Sequence, residues 1–260
     1  MSTNTANQPP ESGQTAIPPA PQVAVRPGFE WDAQDAYLFD IDGTLLRCRD
    51  RVHVNAFTSC VQRVTGFEIT LAGISMQGST DTAILREAWR QAGIADELLE
   101  PQAEAILQAM CSAVAERRNE MIVVRMPGVE ETLRHLAGRG ALLGLATGNL
   151  EAIGWIKVEE IGLREWFRFG GFSDHYPDRR ELIGKAAEKA REMAGAEAKI
   201  CVVGDTPRDI DAARANGLAV IAVATGRFSF DELREAQPDA CATSLADLLA
   251  HTRSQAGRTP

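Results

Sequence analysis

Short apolar runs recur along the chain at residues 37–39, 141–146, 169–172, 200–203 and 219–224. Runs this short, closed by Asp, Gly or Asn, read as buried strands. Between them the apolar spacing changes to threes and fours, which predicts a helix leading through His135, Leu136 and Ala137 after Met126-Pro127-Gly128-Val129, and further helices over 150–161, through Lys185 to Met193, over 209–216 and near 245–251. Strands alternating with helices predict an α/β protein with a doubly wound parallel sheet.

One stretch breaks the alternation. Residues 54–64, 80–92 and 95–118 place apolar side chains at helical spacing with no strand among them, for example Ile84, Leu85, Ala88 and Trp89, or Ile106, Leu107, Met110 and Val114. A small all-helical unit inserted after the first strand is expected, and Gly78-Ser79-Thr80-Asp81 marks a helix start with Ser79 or Thr80 as the cap. The predicted organisation is a segment 1–28, an α/β core over 29–48 and 124–252, a helical cap over 49–123 and a flexible tail over 253–260.

Composition changes the picture at the start of the chain. Residues 1–28 hold half of the prolines, few bulky apolar residues, and only Glu11 and Arg26 as charges, so this segment is expected to be disordered. It lacks the basic start and apolar stretch of a signal peptide, and a cytoplasmic location with reduced thiols is expected. A formal net charge of −9 makes nucleic acid and an anionic membrane poor partners.

The chemistry gathers at three strand ends. Asp40 and Asp42 stand where the first run meets Gly43-Thr44, and ligands in open α/β sheets bind beyond the carboxyl ends of strands. Aspartates also cap helices and fill loops, a reading that a second acidic cluster weakens: Gly204-Asp205 closes the run at 200–203, with Asp209 four residues on. Two strands delivering carboxylates can share a hard cation, and Mg²⁺ fits the oxygen-only inventory. Zinc does not, because the five cysteines form no Cys-x-x-Cys and the four histidines no His-x-x-x-His. The third end, Thr147-Gly148-Asn149, supplies a hydroxyl, unobstructed backbone N–H groups and an amide, which suit an anion as well as they suit a turn.

Phe39-Asp40-Ile41-Asp42-Gly43-Thr44, Ala146-Thr147-Gly148-Asn149 and Val203-Gly204-Asp205-Thr206-Pro207-Arg208-Asp209 resemble, in order, the first, second and fourth signature segments of the haloacid-dehalogenase-like (HAD) hydrolase superfamily. The resemblance runs from about residue 37 to 249. It implies a Rossmann-like core and, with the helical insertion, a phosphoglycolate-phosphatase-like member whose cap closes over the site. It also implies chemistry through an aspartyl-phosphate, with Asp40 as nucleophile and Asp42 as the acid and then the base. Mg²⁺ would be held by the Asp40 carboxylate, the Asp42 main-chain carbonyl and Asp205. Asp209 would orient metal-bound water or cap a helix. Thr147, Gly148 and Asn149 would bind phosphate. The family's phosphate-holding cation falls best on Arg179, with Arg180 second and Lys185 third.

The same resemblance narrows the reaction. Dehalogenases of this superfamily lack the second aspartate, which is present here as Asp42. Phosphonate cleavage would need a cap lysine, and no lysine precedes Lys157. Acid catalysis by Asp42 at neutral pH calls for surroundings that favour its protonated form. The expectation is therefore a Mg²⁺-dependent phosphatase of a small organic phosphate, with a phosphosugar mutase or a noncatalytic binding protein as alternatives. Arg47, Arg49, His53, Gln77 and Ser79 are the candidate cap contacts to the substrate, though each taken singly is better suited to a solvated surface.

Overall fold

The structure, a computed structural model, describes residues 20–174 and 176–256. The strands are β1 (Val23–Val25), β2 (Ala36–Phe39), β3 (Leu46–Cys48), β4 (Val123–Arg125), β5 (Leu142–Ala146), β6 (Phe169–Gly171), β7 (Ile200–Gly204), β8 (Ala219–Val223) and β9 (Ala240–Ala242). The helices are α1 (Val52–Thr65), α2 (Asp81–Gln91), α3 (Asp96–Leu99), α4 (Ala103–Glu116), α5 (Val129–Gly138), α6 (Glu151–Glu160), α7 (Arg179–Ala194), α8 (Pro207–Ala215), α9 (Phe230–Glu235) and α10 (Leu245–Ala256).

Seven strands form one sheet in the order β1-β9-β8-β7-β2-β5-β6, parallel throughout except for the β1–β9 pair. Every residue of β2 is fully buried, as a central parallel strand covered on both faces requires. Alternation divides it: Tyr37 and Phe39 pack under α5 and α10, while Ala36 and Leu38 pack under α7 and α8. This is the expected α/β fold, Rossmann-like, with helices on both faces.

Register places the site. Phe39 lies opposite Leu145 on one side and Val203 on the other. The residues that follow therefore emerge together at one edge, and the Asp40 N–H donates to the Val203 carbonyl at 2.9 Å.

The inserted helices α1 to α4 lie between β3 and β4, an antiparallel two-stranded ribbon. Phe57, Leu85, Trp89, Ile106 and Met110 form their shared core, joined by Leu150 and Ile153 at the start of α6. The single helix expected over 95–118 is broken, because Pro101 sits in a 3-10 turn between α3 and α4 and lacks the N–H a continuous helix needs.

Two expectations about the ends need correction. The segment 1–28 is not unstructured throughout: Val23, Ala24 and Val25 pair with Ala242, Cys241 and Ala240, and Arg26 binds Asp239 through both backbone and side chain. A three-residue strand is ordered by a partner edge more than 200 residues away, which no local pattern reports. Helix α10 also runs past 252 into the expected tail, just after Thr252, which accepts the Trp31 indole N–H at 2.6 Å. Residues 1–19 and 257–260 lie outside the described residues. Among the described residues no helix is long and apolar enough to cross a membrane.

Candidate active site

The turn after β2 carries the two aspartates. The Ile41 carbonyl accepts the N–H groups of Leu45 and Leu46 at 2.9 and 3.1 Å, and Gly43 adopts a φ of +90°. Gly43 is required twice over, since a Cβ there would also fall 2.6 Å from the Asp205 carboxyl carbon. The tight turn keeps the Ile41 side chain in the core and puts Asp40 and Asp42 toward a cavity of about 550 Å³ between core and inserted helices. Asp205, Thr147, Gly148, Asn149 and Arg179 line the same cavity, so the structure brings the three predicted strand ends together.

Asp40, Asp205 and Asp209 are all buried, with one oxygen of each within 4.8 Å of the others. Asp209 is already committed. Its Oδ2 accepts the Thr206 N–H and hydroxyl in a capping box that opens α8, and its Oδ1 accepts Arg179 Nη2 at 2.5 Å and Nε at 3.1 Å. Both of its carboxylate oxygens are thus engaged by protein groups. Among the described residues the Asp205 carboxyl has only a long contact with the Thr44 hydroxyl, at 3.4 Å. Burial pushes the Asp205 carboxyl up, and the Asp40 and Asp209 carboxylates push it further. Burial also raises Asp40, offset in part by Arg179. Asp40, Asp42, Asp205 and Asp209 are set against the cations Arg179 and Lys157, so ionising all four carboxylates would leave two negative charges uncompensated. An all-oxygen donor set with that deficit suits a hard divalent cation.

Arg179 opens α7 behind the Asp178 cap, and its Nη2 stands 3.2 Å from Asp40 Oδ1. Its neighbours lie elsewhere: Arg180 is exposed, and Lys185 reaches outward to Glu188 at 2.8 Å. The Arg179 guanidinium is closed on Asp209, and Nη1 lies 3.4 Å from the Gly78 carbonyl of the inserted unit.

Asp42 departs from expectation. Its Oδ2 accepts Lys157 Nζ at 2.7 Å and Asn149 Nδ2 at 2.8 Å. Partial burial pushes the carboxyl up, but the Lys157 ammonium and these hydrogen bonds outweigh it and hold Asp42 below its ordinary value. The surroundings favour the charged form. Lys157 itself was invisible as a site residue, being a single cation on an otherwise apolar helix face.

Asn149 also donates to the Thr147 hydroxyl at 2.8 Å. Gly148 serves a close approach: a Cβ there would stand 3.0 Å from the Ser79 carbonyl carbon and the Thr80 Cα. The inserted unit docks on this loop through the Asp81 N–H to the Gly148 carbonyl at 2.7 Å and the Leu150 N–H to Asp81 Oδ2 at 2.9 Å. Thr80 caps α2 and donates to the Pro177 carbonyl at 2.6 Å, which resolves the choice between Ser79 and Thr80. Of the candidate cap contacts, Arg47, His53, Gln77 and Ser79 line the cavity; Arg49 does not. Its side chain leaves the β3–β4 ribbon toward solvent.

One further glycine and a loop were not legible beforehand. Gly226 lines the cavity beside Arg227, and a Cβ there would meet the Asp205 carboxyl carbon at 2.6 Å. The loop is tied down by the Thr225 hydroxyl to the Gly43 carbonyl at 2.6 Å and by Arg47 to the Thr225 carbonyl at 2.7 Å.

With this geometry in hand, residues 37–223 match the family model of the haloacid dehalogenase-like hydrolases. The phosphoglycolate phosphatase of Nitrosococcus oceani is 23% identical over 222 residues, which cover 81% of this chain and 93% of that protein. The phosphoglycolate phosphatase of Pseudomonas savastanoi pv. phaseolicola is 29% identical over 197 residues, 73% of this chain and 69% of the relative. The crystal structure of a hydrolase from Pseudomonas syringae matches with a TM-score of 0.61 at 22% identity, covering 85% of this chain and 99% of that one, a likeness of fold.

Proposed function

Since the chain belongs to the haloacid dehalogenase-like hydrolases and is a hydrolase of the phosphatase type, we propose that it cleaves a small phosphomonoester with Mg²⁺, through a phosphoryl group carried on Asp40. The observation that carries this reading is the joint placement of Asp40, Asp42 and Asp205 on one cavity, with Arg179 against Asp40. Phosphoglycolate, the substrate in the relatives' names, is the first ester to test.

Asp40 and Asp205, with the Asp42 carbonyl, would hold Mg²⁺, which supplies charge against the phosphoryl oxygens when bound. Asp40 attacks phosphorus while the Thr147 hydroxyl, the N–H groups of Gly148 and Asn149, and Arg179 hold the phosphoryl oxygens. Lys157 and Asn149 hold the resting Asp42 charged, so it takes up a proton from solvent before giving one to the departing alcohol, and then takes one from the water that frees Asp40. Asp42 is 44% exposed, so its proton exchanges with solvent through the cavity. The inserted helices limit water during transfer. Five separate thiols, three of them buried, suit a reducing compartment such as the cytoplasm, and the acidic surface leaves small phosphates, rather than nucleic acid or membranes, as partners.

The test is phosphate release from a panel of small phosphomonoesters, with and without Mg²⁺, for wild type and Asp40→Asn. Release that needs both the metal and Asp40 is expected. A sugar phosphate isomerised without free phosphate would instead assign a mutase, and no turnover of any ester by folded protein would assign a binding role.

A further inference from the structure

Helix α6 buries Ile153, Gly154, Lys157 and Val158, and Lys157 is only 3% exposed. A buried ammonium is strongly destabilising unless it is paired and hydrogen-bonded, so its partners say what it is for. They are Asp42 Oδ2 and Asn149 Oδ1, both at 2.7 Å.

The three side chains form a closed ring. Lysine can only donate, so Asn149 turns its oxygen to Lys157 and its amide NH₂ to Asp42 and Thr147. Asp42 Oδ2 thereby receives two N–H donors. Among the described residues the only hydrogen-bond contact at Oδ1 is the Cys48 thiol at 3.8 Å. The backbone brings α6 near enough for this to happen, since Gly154, one turn before Lys157, lets the helix lie against Ile41 and Phe172; a Cβ there would meet them at 3.3 and 3.1 Å.

We propose that Lys157 is a positioning residue, which together with Asn149 anchors Oδ2 of Asp42 and leaves Oδ1 as the single oxygen presented to the departing alcohol. The inference rests on the phosphatase reading above and adds to it a residue and an atom. In the step concerned, an Asp40 oxygen bonds to phosphorus and the phosphorus–alcohol bond breaks. The electron pair stays with the alcohol oxygen, which takes the proton from Asp42 Oδ1. Without the ring the Asp42 carboxyl turns freely about its side-chain torsions, and the proton is seldom placed where the bond breaks.

The kcat/KM values of an alkyl phosphate and of p-nitrophenyl phosphate separate this from a structural role. kcat/KM covers the steps up to departure of the alcohol, and p-nitrophenolate leaves without a proton. For Lys157→Met, kcat/KM on the alkyl ester is expected to fall about 100-fold and on the aryl ester by no more than about threefold, the size of a lost general acid. Asp42→Asn should show the same asymmetry, and Lys157→Arg should restore part of the alkyl activity. If Lys157→Met does not fold, Asn149→Ala removes the other donor to Oδ2 and should lower the same alkyl-to-aryl ratio. Equal losses on both esters, or wild-type values, would overturn the positioning role while leaving the phosphatase reading intact. A wild type inactive on both esters would overturn both.

Discussion

Gly226→Ala probes the acidic cluster without altering any charged group. The backbone at Gly226 lies outside the left-handed region, so alanine meets no conformational penalty there. The new methyl would stand 2.6 Å from the Asp205 carboxyl carbon and 3.2 Å from its Cβ. Carbon atoms rest about 3.5–4.0 Å apart, so the carboxyl group must retreat by about 1 Å. The loop itself yields little, being held by Thr225 to Gly43 and by Arg47 to Thr225. Oxygen ligands of Mg²⁺ need about 2.0–2.1 Å and near-octahedral angles, so a shift of that size removes Asp205 from any shared ion. The expected result is a Mg²⁺ activation curve displaced about 10- to 100-fold to higher concentration, as for disturbed supports of metal ligands. Phosphate release measured against Mg²⁺ concentration gives the curve, and the midpoint of thermal unfolding with and without Mg²⁺ gives an independent reading. A wild-type curve in a Gly226→Ala protein would refute the placement of Asp205 as the carboxylate that completes the site.

Other outcomes follow from the same geometry. Asp42→Asn should lower turnover about 10²- to 10⁴-fold while the Mg²⁺-induced rise in unfolding midpoint persists; unchanged turnover would remove Asp42 from the chemistry. Burial pushes the Cys48 and Cys241 thiols up to about 12 and Cys111 up to about 11, so each stays protonated at pH 8. Iodoacetamide at that pH should therefore label the native protein slowly and all five cysteines once it is denatured, and fast native labelling of Cys48 would contradict the upward push that burial gives its thiol. Phe39→Ala empties the centre of the sheet, where the ring meets Phe167 edge-on at 6.0 Å, and should destabilise folding by about 3–5 kcal/mol in denaturant titration. A change below about 1 kcal/mol would mean that β2 is not the core strand.

Much of this protein was determined by sequence alone. The runs ending in Asp40, Thr147 and Asp205 are short, apolar and closed by turn residues, so strand, strand end and polar group are all local properties of neighbouring positions. The helical spacing over 54–118 is local in the same way, except where Pro101 interrupts it. Tertiary structure decided what depends on elements distant in the chain. Lys157 looks like any helical lysine until the approach of α6 to Ile41 sets it against Asp42, 115 residues earlier. Gly226 looks like a turn glycine until the loop after β8 closes on Asp205. Strand β1 exists because β9 offers an open edge, and Arg179, already favoured by its place before α7, is set 3.2 Å from Asp40 only once the chain has folded. In each case the local conformation is compatible with several surroundings, and the energy that chooses among them comes from contacts made only after the sheet has assembled.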